Sequence, residues 1–247
     1  MTLRKTIKQK VCFGDLEIPV QIIMELRSDV RMSITSSQAI LRLPLNLTHE
    51  GEQQAIAWFH NALASELEKH PTLKNRFAVC SYANGQKIVT TAATYRLHLS
   101  FATRQSSSGS LHGDNLYLEL NNKLEGLALQ QTIRKLLSKL VSKHQLPAVK
   151  ARVDILNHTH FQFQFGKVQL REQKTQWGSC SSSGNIQLSN RLLLVPQPVM
   201  DYVIIHELAH LSEFNHSEKF WQLVAKAMPD YREKEQWLDI HGHSCTF

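Results

Sequence analysis

Apolar and polar residues alternate through much of the first half of the chain, as in strands that bury one face. Three such segments come early, at residues 18–26, 31–35 and 38–43. Three more come later, at residues 87–91, 94–101 and 115–120. The pattern predicts a small, mostly antiparallel sheet. The polar residues 104–115 read as a loop between strands.

One helix interrupts these strands. Thr48 is a good N-cap, and acidic residues follow it in the first turn. Apolar residues then recur at helical spacing: Ile56, Phe59, Leu63 and Leu67. Pro71 cannot continue the run, so we predict a helix that ends before it.

The second half starts with another apolar stripe at helical spacing, from Leu129 to Val141, which we expect Pro147 to end. Strands are predicted at residues 150–156, 160–170 and 185–189, with a polar turn at 174–184. From Pro198 onward the pattern is helical. The order of elements predicts an α+β fold. We place a β-rich N-terminal region at residues 1–120 and a second region at 121–247, with a soft boundary that also allows one continuous domain.

Composition narrows the class of protein. Hydrophobic residues make up 42% and charged residues 20% of the 247, which is typical of a soluble globular chain. No apolar run has the length of a membrane span or a signal peptide, so we expect a cytoplasmic protein without a membrane partner. The four cysteines form no Cys-x-x-Cys pair, which argues against a structural zinc knuckle.

The net charge is +7, which permits attraction to nucleic acid or another anionic partner. The basic residues are spread along the sequence, and the densest group lies in the first ten residues. An ordinary solvated surface explains this distribution as well, so nucleic acid stays a possible partner. The oligomeric state cannot be read from the sequence.

The sharpest chemical signal is a pair of histidines in an apolar helical segment. His206 and His210 lie four residues apart, about 40° from each other around a helix, so both rings can reach one metal ion. Apolar neighbours imply burial, where unligated histidines are costly. Glu207 completes a His-Glu-x-x-His pattern, in which the glutamate does not bind the metal but accepts a proton from a water that the metal activates.

A third ligand requires the helix to end. His216 is six residues after His210, which on a straight helix turns it about 120° away from the site. Asn215 is a plausible left-handed C-terminal residue and Ser217 a plausible cap for a new helix, so a break would bring His216 back. Three histidines with one open position predict one catalytic Zn²⁺. Alternative third ligands are carboxylates: Glu213, Glu218 and Glu233.

These motifs, with their neighbours, resemble the YgjP-like metallopeptidase family. The resemblance is strongest in the runs WGSCSSSGNIQL (177–188), RLLLVPQPVMDYVIIHELAHL (191–211) and NHSEKFW (215–221), and weaker in ILRLPLNL (40–47). It implies a zincin-like metallopeptidase domain with a mixed sheet and an active-site helix in the second region. By position, it also implies zinc ligands at His206, His210 and His216 and a catalytic base at Glu207.

The family is similar to the SprT-like and WLM-type zinc proteases, some of which act on proteins bound to DNA. Gln176 departs from the family, which more often has arginine before its Trp-Gly-Ser-Cys run, and the N-terminal arm lies outside the pattern. The metzincin proteases share the histidine spacing but need a glycine where this chain has Glu213. We therefore expect a zinc-dependent endopeptidase that cleaves proteins or peptides.

Two other functions stay open: a zinc hydrolase of small amides or esters, and a DNA-associated protease. An edge strand commonly pairs with an extended substrate, and residues 184–189 are a candidate for that strand. Asn185 and Gln187 are therefore candidates for the substrate cleft. We expect Trp177 and Cys180 to pack behind the metal helix, without a catalytic role.

Overall fold

The structure is a computed structural model, and it describes residues 5–13, 16–35, 38–70, 73, 81–173 and 175–247. Packing divides the chain into two compact units, Met1–Val79 and Cys80–Phe247. From the sequence we placed a soft boundary after residue 120. The strands between residues 87 and 121 belong to the second unit because their apolar face packs on the long helix that follows them.

The first unit is a four-stranded sheet covered on one face by a helix. Its strands are β1 (Lys5–Phe13), β2 (Leu16–Glu25), β3 (Arg31–Ile34) and β4 (Ala39–Pro44), in the order β1-β2-β4-β3. The β2–β4 pair is parallel, so the sheet is mixed. Helix α1 (His49–Lys69) begins where predicted, with the Thr48 hydroxyl accepting from the Gly51 N–H, and ends before Pro71. Its apolar face buries the sheet residues Ile18, Val20, Ile22, Leu41 and Leu43.

The second unit starts with another four-stranded sheet. Strands β5 (Lys87–Val89), β6 (Thr94–Ala102), β7 (Ser108–His112) and β8 (Asn115–Asn121) lie in the order β5-β6-β8-β7. The loop prediction for residues 104–115 is wrong over β7. This strand is small and polar because it lies at the sheet edge, where few of its side chains are buried.

Helix α2 (Gly126–His160) is longer than predicted. It runs through Pro147, so the predicted end there and the predicted strand at 150–156 are both wrong. Val149, Val153 and Leu156 continue the buried stripe beyond the proline at helical spacing. Their burial outweighs the backbone hydrogen bond that a proline removes, and Pro147 itself is exposed.

A three-stranded sheet and three helices complete the second unit. Strands β9 (Val168–Arg171), β10 (Gly178–Cys180) and β11 (Ile186–Ser189) lie in the order β10-β11-β9. A 3₁₀ segment (Asn190–Leu194) leads to helices α3 (Gln197–Ala209), α4 (Glu218–Ala227) and α5 (Tyr231–His241), and a short 3₁₀ turn (Gly242–Ser244) follows. Only the end of the predicted 160–170 strand forms, and β10 lies in the predicted turn at 174–184.

Helix α3 is buried on almost every side, and an ion pair fixes it to α2. The Arg152 guanidinium donates to both carboxylate oxygens of Asp201, at 2.8 and 2.6 Å. The elements confirm the predicted α+β class with a mixed sheet and a buried helix that carries the histidine pair. Over the described residues, none of the helices combines the length and the apolar character that crossing a membrane requires.

Candidate metal centre

Three imidazoles from consecutive elements meet at one point. His206 lies in the last turn of α3, His210 caps the end of that helix, and His216 lies in the turn before α4. One nitrogen from each ring falls within 4.8 Å of the other two. The Nε2 atoms of His206 and His216 are 3.0 Å apart. Two nitrogens bound to one tetrahedral zinc ion would lie about 3.3 Å apart, so the arrangement fits a single ion.

The return of His216 depends on a turn between two helices. Helix α3 ends at Ala209, and Ser217 caps α4 by accepting from the Phe220 N–H at 3.4 Å. The predicted break and cap are therefore present. The predicted left-handed backbone of Asn215 is wrong, since Gln162 is the one non-glycine residue with positive φ in the described chain. Asn215 shapes the turn through its side chain, whose Oδ1 accepts from the Ser217 N–H at 3.2 Å.

The surroundings favour the neutral form of two of the rings, those of His206 and His210. The His210 Nδ1 lies 3.0 Å from the backbone oxygen of Glu213, to which it donates, so its Nε2 keeps a free lone pair. Burial, helped by the neighbouring His210 and His216, lowers the pKa of His206 to about 3. Burial also lowers the pKa of His210. Neutral imidazoles are the form that ligates transition metals.

The ring of Phe220 packs against the rings of all three histidines. Its ring centroid lies 4.9 Å from that of His206, 4.6 Å from that of His210 and 4.8 Å from that of His216. The side chain is fully buried, at 0% exposure. A single residue of α4 therefore packs against all three rings, and Trp221 of the same helix also stacks on His216, with ring centroids 5.7 Å apart.

Glu207 points its carboxylate at the same site. The residue is buried, and its Oε2 has no hydrogen-bond partner among the described residues. Burial raises the pKa of Glu207 to about 8. A buried carboxylate oxygen without a partner is costly to keep, which is typical of a functional group awaiting a ligand or a water.

Gly178 of β10 makes room for this carboxylate. A Cβ placed on Gly178 would lie 2.5 Å from Oε1 and 2.7 Å from Cγ of Glu207. Real side chains do not approach so closely, so the position requires glycine for as long as Glu207 keeps its conformation. The glycine of the Trp-Gly-Ser-Cys run thus has a defined structural role beside the candidate base.

A cleft of about 440 Å³ opens over the histidines and Glu207. One wall is strand β10, and another is α5 with Glu235, Leu238 and Asp239. Tyr202 also lines the cleft and donates to the Glu235 carboxylate at 3.5 Å. Burial, followed by the charge of Glu235, raises the pKa of the Tyr202 hydroxyl well above its usual range.

Trp177 and Cys180 are partly buried against the core, but both also line the cleft, so they do not lie behind the metal helix as expected. The Arg191 guanidinium lies 4.0 Å from the centroid of the Trp177 ring and donates to the backbone oxygen of Cys245 at 3.1 Å. Trp177 therefore belongs to the contacts that fasten the C-terminal segment. Burial, with a smaller contribution from Glu207, raises the pKa of the Cys180 thiol to about 11. That thiol stays protonated near neutral pH and is a poor nucleophile.

Asn185 and Gln187, which the sequence suggested as substrate-cleft residues, do not lie at the cleft. Strand β11 is paired on both sides, so it is central in its sheet rather than at the edge. The Asn185 side chain instead accepts from the Lys167 N–H at 2.8 Å and shapes the adjoining turn. The strand that borders the cleft is β10, which pairs with β11 alone among the described strands.

Sequence reasoning missed Gly178, Phe220 and the wall formed by α5. A glycine inside a strand is a general sign of close backbone approach, so Gly178 carried a signal. Phe220 follows the expected cap at Ser217 by three residues, and an apolar residue in a helix is no sign of contact with a metal centre. Nothing in the spacing of Glu235 and Asp239 indicated that α5 folds back beside the histidines.

Comparison with known protein families identifies the family of the chain. The sequence model of the YgjP-like metallopeptidase domain matches residues 28–241. A curated relative, the UTP pyrophosphatase of Escherichia coli (strain K12), is 31% identical over 62 residues, which are 25% of this chain and 37% of that protein. The chain thus spans little more than a third of that relative.

Two solved structures are similar to part of the chain. The metallopeptidase zymogen abylysin of Pyrococcus abyssi matches at 29% identity with a TM-score of 0.35, over 38% of this chain and 92% of that one. The metallopeptidase zymogen jannalysin of Methanocaldococcus jannaschii matches at 18% identity with a TM-score of 0.34, over 37% and 94%.

Proposed function

The chain belongs to the YgjP-like metallopeptidase family, and we propose that it is a zinc-dependent endopeptidase whose metal is held by His206, His210 and His216. The convergence of three imidazole nitrogens within 4.8 Å carries this proposal. Bound zinc supplies Lewis-acid chemistry, which activates a water and polarises a carbonyl.

Glu207 is the proposed general base. Its buried carboxylate has an oxygen without a partner, next to the first histidine. The positive charge of a bound metal ion would lower the pKa of this carboxyl and keep it ionised near neutral pH. The carboxylate would then accept a proton from the attacking water and pass it to the leaving amine, which leaves it ionised again. Gly178 permits this position of the carboxylate because it has no Cβ, which would clash with the Glu207 side chain.

Strand β10 is the proposed platform for the substrate. It borders the cleft, and an extended peptide can add to the free side of such a strand through backbone hydrogen bonds. Binding of this kind recognises the backbone of the substrate peptide and requires no particular side chain on the substrate. It therefore favours unfolded or extended protein segments over small amides or esters, which offer too few backbone groups.

The matched relative raises a second candidate, the metal-dependent hydrolysis of a nucleoside triphosphate. Recognition of a triphosphate usually needs arginine, lysine or extra divalent cations. The described residues that line the cleft include neither lysine nor arginine, and they include the carboxylates of Glu207, Glu235 and Asp239. This lining favours a neutral or cationic peptide.

The test is a parallel assay of the zinc-loaded protein. An unfolded protein, UTP with Mg²⁺ and a small chromogenic amide are each incubated with it at neutral pH. We expect cleavage of the unfolded protein substrate and no turnover of UTP or of the small amide. Pyrophosphate release from UTP without proteolysis would replace the peptidase proposal with the second candidate, and turnover of the small amide alone would indicate a hydrolase of small molecules.

A further inference from the structure

Helix α2 carries most of the net charge of the chain. Its 35 residues hold Arg134, Lys135, Lys139, Lys143, Lys150 and Arg152 against a single acidic residue, Asp154. Its charge of +5 compares with +7 for the whole chain. The distribution that looked even along the sequence is therefore concentrated on one element of the fold.

Four of these lysines form a straight row, the α2 lysine stripe, made of Lys135, Lys139, Lys143 and Lys150. At about 100° per residue they fall within an arc of about 80°, and at 1.5 Å per residue the row is about 22 Å long. All four side chains are exposed. None forms an ion pair with another residue of the described chain.

Such a row is unfavourable for the helix itself. Lysines at i and i+4 repel each other, and no carboxylate lies between Lys135 and Lys150, although Asp154 follows Lys150 by four residues. The other long helices mix their charges or are acidic: α1 has Glu50, Glu52, Glu66 and Glu68, and α5 alternates basic and acidic residues. An anionic partner would remove the repulsion in α2, which gives the stripe a physical rationale.

The geometry of the stripe identifies the partner. The apolar face of α2 is buried in the core, so this surface has no broad apolar face to insert into a lipid bilayer. The stripe positions are all lysine, without the aromatic platforms that bind single strands by stacking. A rigid row of point charges instead fits a rigid array of phosphates.

We propose that the α2 lysine stripe binds the phosphate backbone of duplex DNA, independently of the metal centre. Duplex DNA carries one charge per about 1.7 Å of axis, so about 13 phosphates lie along the length of the stripe. Contacts of this kind fix position without reading sequence. The Arg152–Asp201 ion pair joins α2 to the helix that carries His206, so the bound DNA and the cleft belong to one packed unit.

The experiment measures binding of the full-length, zinc-loaded protein to a fluorescent 20-base-pair duplex by anisotropy, at several salt concentrations. Each lysine that neutralises one phosphate contributes about −0.9 to the slope of log K against log[salt], so the stripe contributes about −3.6. Between 50 and 200 mM salt, that contribution amounts to about a 150-fold loss of affinity.

The stripe variant replaces all four lysines by glutamine, which has a similar helix propensity. A matched control makes the same change in net charge at four exposed lysines outside α2: Lys87, Lys167, Lys219 and Lys226. The stripe variant is expected to lose most of the salt dependence and to bind weakly at low salt. The control is expected to keep a slope within about one unit of wild type.

Equal losses in the two variants would overturn the proposal, because a general charge effect would then suffice. Binding to polyglutamate or to phosphatidylserine vesicles without binding to the duplex would overturn it too. Circular dichroism and Tm confirm that the stripe variant is folded, since removal of like charges should not lower its stability. Glu207→Gln should bind the duplex as wild type does, so failure here is separable from failure of the peptidase proposal.

Discussion

Replacing Gly178 by alanine tests whether the close approach of β10 to Glu207 matters for activity. The added Cβ would meet Oε1, Cγ and Cδ of Glu207 at 2.5, 2.7 and 2.8 Å. Carbon and oxygen atoms without a bond between them need more than 3.0 Å, so the carboxylate or the strand must move by about 0.5–1 Å. Glu207 is otherwise buried and lines the cleft, so the carboxylate would move toward the cleft and away from its present position.

The expected effect separates catalysis from metal binding. A displacement of about 1 Å in a catalytic group can cost about 100-fold in rate. Gly178 is not a proposed ligand, and the nearest atoms to an added Cβ all belong to Glu207, so zinc content should stay at one ion per chain. Overpacking should also lower the stability by about 1–3 kcal/mol, seen as a fall in Tm.

The assay compares kcat/KM for cleavage of an unfolded protein, with zinc content and Tm measured on the same preparations. Ser182→Ala, at an exposed position in the turn after β10 that does not line the cleft, is the matched control, and it should retain activity. Glu207→Gln added to Gly178→Ala should cost less than it does in the wild type, because the two changes act on one group. A Gly178→Ala protein with wild-type kcat/KM and full zinc content would refute the reasoning.

Three further changes test the centre and its support. His216→Ala should lower the affinity for zinc and the rise in Tm that bound zinc gives, whereas Glu213→Gln should change neither. Metal analysis and Tm, each with and without chelator, measure both effects. The reverse result would favour a carboxylate ligand. Phe220→Ala should destabilise the protein by about 3–5 kcal/mol and weaken zinc binding, because it opens a cavity beside all three histidine rings. Urea unfolding and metal titration measure the two effects. Unchanged zinc affinity would show that this packing does not support the centre. Arg152→Ala should cost about 1–3 kcal/mol, since it leaves the buried Asp201 with Gln197 as its remaining side-chain partner, and an unchanged urea midpoint would show that the ion pair contributes nothing.

The three histidines of the candidate metal centre were predictable because their geometry is local. His206 and His210 share a helix face by spacing alone, and the break before His216 is marked by Asn215 and Ser217 within three residues. The predicted cap at Ser217 formed as expected. Asn215 acts through its side chain instead of a left-handed backbone, a choice that the sequence pattern does not distinguish.

The parts that were not predictable depend on tertiary contacts. Pro147 was expected to end a helix, but burial of Val149 and Val153 carries α2 past it. Strand β11 was expected at the edge, and it became central because the Trp-Gly-Ser-Cys run forms the edge strand β10 beside it. The closeness of Gly178 to Glu207 joins residues 29 positions apart, and a periodic pattern carries no information on such a pair.

The most direct measurement compares zinc-loaded wild type with Glu207→Gln in the cleavage of an unfolded protein. Both proteins should contain one zinc ion, because Glu207 is not a proposed ligand. The account predicts fragments from the wild type and a loss of at least about 100-fold in the variant, as expected when a general base is removed. Equal cleavage by two zinc-loaded proteins would contradict the central claim that Glu207 and the three histidines form a working peptidase site.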